Sequence, residues 1–166
     1  MLGFYENFPV NVHKIVRLTT TVSKKKLQQA IIQAFHRLNN ENLNLETITK
    51  PSIPECTVLF EFGIAESKAF NYLDCEETQK TLEKVRKTPL EVMDFFCALR
   101  YYVRRNGKSK PLKFDYYMFR LVFNANVVEM YVFHERGPRH VSPEDIINFV
   151  IDKVNELFPR KALKTA

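Results

Sequence analysis

The sequence predicts a single α+β domain in which an antiparallel or mixed sheet carries helices packed on one face. Two segments repeat apolar residues with the period of a helix, and several others are rich in β-branched and aromatic residues. No Gly- or Ser-rich linker divides the 166-residue chain. Its 45% apolar and 27% charged residues are typical of a globular domain and exclude a disordered chain or a coiled coil. We assign residues 1–159 to one domain and expect residues 160–166 to form a basic, flexible tail.

The N-terminal half is predicted to begin with a strand that leads into a helix. Residues 13–22 are rich in β-branched side chains, which favour a strand. Ser23 is a good N-cap residue, and the apolar positions of residues 24–38 fall on one face of a helix. Residues 39–54 are polar and contain two prolines, which indicates a loop. A short apolar strand at residues 57–64 should follow it.

A charged helix is predicted next, from a capping box at Asp74 and Glu77 to about Lys87. Its narrow apolar stripe indicates a helix on the surface of the domain. The segment from Pro89 to Arg105 fits two interpretations, because its apolar residues match both a helical face and a period of two. The aromatic content of this segment favours the strand.

The C-terminal half predicts a hairpin and a final helix. Two aromatic and apolar stretches, Phe114–Phe123 and Val127–Glu135, flank a three-residue loop at 124–126. Together with the preceding segment they would form a three-strand meander. Ser142, followed by a proline and two acidic residues, marks the start of a helix that should extend to Phe158.

The three cysteines, Cys56, Cys75 and Cys97, are spaced too far apart for a compact metal-binding pair. We interpret them as reduced thiols of a cytoplasmic protein. No apolar run approaches the ~20 residues of a membrane span, and residues 1–9 lack the pattern of a signal peptide. The sequence therefore predicts neither a bound metal nor a membrane partner.

The net charge of +6 is concentrated in one predicted hairpin. Residues 100–120 hold seven basic side chains and one acidic side chain, Asp115, so that the rest of the chain is balanced. Tyrosines are interleaved with these cations. Basic and aromatic side chains on one sheet face are typical of proteins that bind RNA or single strands, since cations meet phosphates and rings stack on bases. The predicted contact residues are Arg100, Arg104, Arg105, Lys108, Lys110, Lys113, Tyr116, Tyr117 and Arg120.

Tyr116 and Tyr117 should point to opposite faces of their strand, so that one of them is available for stacking. An alternative interpretation places the tyrosines in the core and leaves the cations to guard a sheet edge. Apolar residues on both faces of the meander would then predict a protein-interaction or structural role, most simply as a homodimer.

A second candidate site lies just before the last helix, where Arg136, Arg139 and His140 could bind an anion with the help of the helix N-terminus. The acidic residues Glu144 and Asp145 oppose this, and pairing of the two arginines with local carboxylates is the alternative. No nucleophile–base motif is present, and four glycines are too few for a phosphate-cradling loop. We therefore expect a protein without catalytic residues or a cofactor.

The stretch from Pro111 to Ser142, with the segments PLKFDYYMFRLVF and VFHERGPRHVS, resembles a family of small archaeal proteins. The resemblance covers the C-terminal third of the chain. It implies an archaeal chain, but the family has no assigned site, so no residue role follows from it.

Overall fold

Nine strands form one antiparallel sheet in the computed structural model, which describes all 166 residues. In chain order the elements are β1 (Lys14–Thr19), α1 (Lys24–Leu38), β2 (Asn42–Asn44), β3 (Cys56–Glu66), β4 (Ala69–Tyr72), α2 (Cys75–Lys87), β5 (Val92–Arg105), β6 (Lys108–Pro111), β7 (Asp115–Asn124), β8 (Val127–Arg136), α3 (Pro143–Asn155) and β9 (Lys164–Thr165). Across the sheet the order is β2-β3-β5-β7-β8-β1-β9, while β4 pairs with β3 and β6 with β5. The predicted α+β class is confirmed.

The three helices begin where local capping chemistry predicts. The side chains of Ser23, Asp74 and Ser142 each accept a hydrogen bond from a backbone N–H in the first turn of the following helix. These bonds satisfy amide donors that have no partner inside the helix. No helix combines the length and the apolar character that crossing a membrane requires.

The core lies between the sheet and helices α1 and α3. Phe35 of α1 is fully buried and stacks on Phe62 with a ring-centroid distance of 4.0 Å. Phe149 of α3 packs on Phe60 at 5.5 Å, so that both helices rest on the same face of the sheet. Helix α2 packs beside α1. Burial of these aromatic side chains supplies much of the driving force for folding.

Three predictions about the backbone are corrected or resolved. The ambiguous segment is a strand, because β5 pairs with both β3 and β7. The loop between β7 and β8 has two residues rather than three, since Asn124 pairs directly with Val127. The tail packs on the domain, since Ala162 and Leu163 are buried and β9 pairs with β1. Short strands β2, β4 and β6 were not predicted.

The face of the sheet opposite α1 and α3 carries no helix, and we call it the open face. Its residues are set by alternation along each strand and by the cross-strand register. Residues 1–9 cover one corner of it, where Phe4 and Phe8 lie against Arg120. The uncovered part carries Ile15, Arg17, Leu59, Glu61, Phe96, Arg100, Tyr102, Tyr116, Tyr131, Phe133 and Arg136.

Candidate nucleic-acid interface

Arginine and aromatic side chains alternate in space across the open face. The guanidinium carbon of Arg100 lies 5.2 Å from the ring centroid of Phe114 and 5.9 Å from that of Tyr102. The guanidinium carbon of Arg136 lies 5.0 Å from the ring centroid of Tyr116. All five side chains are at least partly accessible, and we call them the arginine–aromatic row. Cations over ring faces are attracted by the ring quadrupole, which holds both partners in place.

A cavity of about 650 Å³ lies at one end of this row. We call it the stacking pocket; its lining residues are Lys113, Phe114, Tyr116, Arg136, Gly137 and Pro138. Neither Lys113 nor Arg136 forms an ion pair within the chain. The pocket therefore combines two uncompensated cations with two aromatic rings, which suits a flat ring system that carries negative charge.

Strand alternation divides the other predicted cations between the two faces. Arg104 lies on the open face, beside Tyr102 and opposite Ser109. The residues Arg105, Lys108 and Lys110 are on the other face, because Arg105 pairs with Lys108 and Lys110 pairs with the core residue Val103. The structure therefore does not unite the seven basic side chains of residues 100–120 in one patch.

Two of the predicted contact residues are committed to the fold, which corrects their assignment. Tyr117 is fully buried and its hydroxyl donates a hydrogen bond to the carbonyl oxygen of Val141, so that its ring cannot stack on a base. Arg120 donates two hydrogen bonds of 2.8 Å to the fully buried carboxylate of Asp94. Its guanidinium compensates that buried charge and is not free for a phosphate.

Asp115, the single acidic residue of the basic segment, is fully buried and accepts four hydrogen bonds. Its Oδ1 accepts from His134 Nε2 at 2.8 Å and from the backbone N–H of Arg139 at 2.6 Å. Its Oδ2 accepts from the Tyr101 hydroxyl at 2.6 Å and from the backbone N–H of His140 at 2.8 Å. A carboxylate tolerates burial only when its oxygens are satisfied in this way.

These bonds correct the predicted anion site at Arg136, Arg139 and His140. The free N–H groups of this loop do bind an anion, but it is the carboxylate of Asp115 in the same chain. Gly137 allows the loop to come this close to Asp115, because its φ is +116° and a side chain at this position would collide with the Asp115 carboxylate. Only Arg136 faces the stacking pocket.

Tyr101 and Tyr117 should report on the integrity of this region. Burial is the main cause that raises the pKa of Tyr101 far above its ordinary value of 10.0, and the nearby Tyr117 phenol and Asp115 carboxylate raise it further. The pKa of Tyr117 is raised mainly by burial and secondly by Asp115. The unfolded chain would lose these protons near the ordinary value, so stability present below pH ~10 is lost as the pH rises further. We expect part of the tyrosinate absorbance to appear only when the circular dichroism signal of the fold disappears. Full tyrosinate absorbance in a folded chain would contradict this.

Sequence reasoning missed Tyr102 and Phe114 as members of the row. Tyr102 lies two residues after the predicted contact residue Arg100, so alternation would have placed it on the same face, and Phe114 directly follows Lys113. Phe114 lies in the connection between β6 and β7, whose position depends on that unpredicted strand. No three His, Cys, Asp or Glu side chains lie close enough together to hold a metal ion.

Comparison with known proteins finds no matching family model, no matching curated protein and no matching solved structure.

Proposed function

We propose that this chain binds RNA or another single-stranded nucleic acid, without catalysis, on the open face of its sheet. The observation that carries the proposal is the arginine–aromatic row, which lies on a face that no helix covers. In this row Arg136 has no ion pair, and Arg100, which pairs with Glu61 at 3.0 Å, stays partly accessible beside the rings. Unstacked bases pack on aromatic rings and on guanidinium planes, and the backbone phosphates between them are attracted to cations.

The stacking pocket supports this proposal because it offers both kinds of contact within a few ångströms. Tyr116 and Phe114, whose ring centroids are 6.4 Å apart, provide apolar surface for a base. Lys113 and Arg136 line the same cavity and have no carboxylate partner. A phosphate bound here would replace solvent around two cations whose charge is otherwise uncompensated.

A single strand fits better than a duplex. Reading the major groove requires an exposed helix or a two-stranded ribbon that enters the groove. Both α1 and α3 direct their apolar residues into the core, and the row lies on a broad sheet surface. A sheet with stacking side chains requires bases that have left a double helix.

The division of cations between the two faces provides a test with a matched control. One variant combines Arg104→Ala, Lys113→Ala and Arg136→Ala, and the control combines Arg105→Ala, Lys108→Ala and Lys110→Ala. Both lose three positive charges, so a nonspecific effect of net charge should be equal in the two proteins.

We expect the open-face variant to bind fluorescein-labelled single-stranded RNA at least tenfold more weakly than the wild type at low salt. Loss of the phosphate contacts of Lys113 and Arg136 should reduce the slope of log K against log salt by about 1.4, at ~0.7 for each contact. The control variant should keep most of the affinity and of the slope. Fluorescence anisotropy at two salt concentrations, with RNA and DNA, measures both quantities. Absence of binding by the wild type at low salt, or equal losses in the two variants, would overturn the proposal.

A homodimer that uses the same face is the second candidate. Ile15 on the open face is 53% exposed, and Phe133 and Tyr131 beside it are only partly covered. Apolar surface of this kind often marks contact with another protein. Sedimentation equilibrium separates the candidates: a dimer that Ile15→Arg dissociates, in a protein that binds no RNA, would favour the protein-interaction role.

A further inference from the structure

A second cavity, of about 480 Å³, lies on the open face at the end of the row opposite the stacking pocket. We call it the polar pocket; its principal lining residues are Asn42, Asn44, Glu55, Thr57, Tyr102 and Arg104. Strand β2 brings the two asparagines to the open face, because Asn44 pairs with Thr57 and Thr57 pairs with Tyr102. Tyr102 belongs both to this pocket and to the arginine–aromatic row.

The chemistry of the polar pocket differs from that of the stacking pocket. It contains one carboxylate and one guanidinium, so its formal charges cancel and a phosphate gains little there. The backbone N–H of Arg104 donates to the carbonyl oxygen of Glu55 at 3.1 Å, which keeps the two residues adjacent. Neither the Arg104 nor the Glu55 side chain forms an ion pair, and the side-chain amides of Asn42 and Asn44 form no hydrogen bond within the chain. The pocket thus offers free donors and free acceptors side by side.

A guanidinium and a carboxylate in one pocket favour a ligand that has two neighbouring acceptors and two neighbouring N–H donors. The guanidinium fork pairs with two neighbouring acceptors, and guanine presents O6 and N7 in that arrangement. A carboxylate only accepts hydrogen bonds and pairs best with two neighbouring N–H donors. Guanine has such donors in N1–H and the N2 amino group, next to O6. Adenine and uracil lack both pairs and cytosine lacks the donor pair, so that each would leave a charged side chain without its partner.

We infer that the polar pocket binds one guanine of the single strand, with Arg104 donating to O6 and N7 and Glu55 accepting from N1 and N2. The inference rests on the proposed function, since it assumes that a single strand follows the row. The ring of Tyr102 would provide the stacking surface for this guanine. Asn42 and Asn44 lie at the rim and can donate to or accept from the sugar. The open face then combines a sequence-tolerant end at the stacking pocket with a base-selective end at the polar pocket.

The test uses RNA strands of about eight nucleotides, a length within the range that one such surface binds. The strands are all uridine, all uridine with one guanosine, and all uridine with one adenosine. Fluorescence anisotropy gives the affinity of each for the wild type, for Glu55→Gln and for the control Glu83→Gln, which changes an exposed carboxylate on α2. We expect the wild type and the control to bind the guanosine strand about tenfold more tightly than the other two, the order expected for one good bidentate contact.

Glu55→Gln should separate selectivity from affinity. We expect its preference for guanosine to fall below about threefold, while its affinity for the all-uridine strand stays equal or rises because a negative charge has been removed. If no strand binds the wild type, the proposed function fails and this inference fails with it. If the wild type binds all three strands equally, the inference is overturned and the proposed function stands. Retention of the guanosine preference in Glu55→Gln would also overturn it.

Discussion

Replacing Asp115 by alanine should lower the free energy of unfolding by about 4 kcal/mol or more, because each of four donors that lose their acceptor costs about 1–3 kcal/mol. The change leaves four donors without an acceptor: the His134 ring, the Tyr101 hydroxyl and the backbone N–H groups of Arg139 and His140. Each buried donor that loses its partner carries a desolvation penalty. Urea unfolding followed by circular dichroism measures the loss, provided that the m-value is unchanged.

Two further variants separate the contributions to this effect. Asp115→Asn keeps the side-chain volume and one acceptor oxygen, so we expect its free energy of unfolding to lie between those of the wild type and Asp115→Ala. The matched control is Asp152→Ala, which removes an exposed carboxylate from α3 and should change the stability by no more than about 0.5 kcal/mol. If Asp115→Ala were as stable as this control, the four hydrogen bonds would not hold the loop.

The Asp115 bonds also connect the core to the candidate interface. They fix residues 137–140, and Gly137 and Pro138 of this loop form a wall of the stacking pocket next to Arg136. Tyr101 and His134 approach the carboxylate from β5 and β8, on either side of β7. The buried carboxylate therefore holds the loop that walls the stacking pocket, while pairing with Tyr116 places Arg136 at the end of β8.

The features that local chemistry determines were predictable from the sequence. Ser23, Asp74 and Ser142 were identified as N-caps because each side chain satisfies an amide only three residues further along the chain. The strands of the meander were found because alternation and aromatic content act over a few residues. The basic and aromatic character of residues 100–120 was also visible at this level.

Features that depend on distant pairing could not be predicted in the same way. Strand β2 has only three residues and exists through its register with β3, so the polar pocket was not foreseen. Asp115 is fully buried because donors from β5, β8 and the loop before α3 bond to its oxygens. No local sequence pattern distinguishes it from a surface carboxylate. The tail was predicted to be flexible because it is a basic chain terminus, and the burial of Ala162 and Leu163 depends on contacts with the distant β1 region.

Replacing Phe35 by alanine should destabilise the domain by about 3–5 kcal/mol, the usual cost of removing a fully buried phenylalanine ring. The ring stacks on Phe62 and meets the edge of Phe95 at a centroid distance of 4.7 Å, so its removal leaves a cavity at the centre of the core. Phe114 is the matched control, because it is a half-buried phenylalanine on the open face of the same sheet.

Phe114→Ala should cost only about 1 kcal/mol, since less apolar area returns to water. Its expected effect is on function instead: RNA binding should weaken, because a stacked base is worth about 1–3 kcal/mol. Phe35→Ala should show the reverse, with low stability but near-normal affinity at temperatures where the domain remains folded. Unfolding curves and anisotropy titrations on the two proteins test this division. A large stability loss in Phe114→Ala, with no change in binding, would mean that the ring serves the fold and that the open face is not a stacking surface.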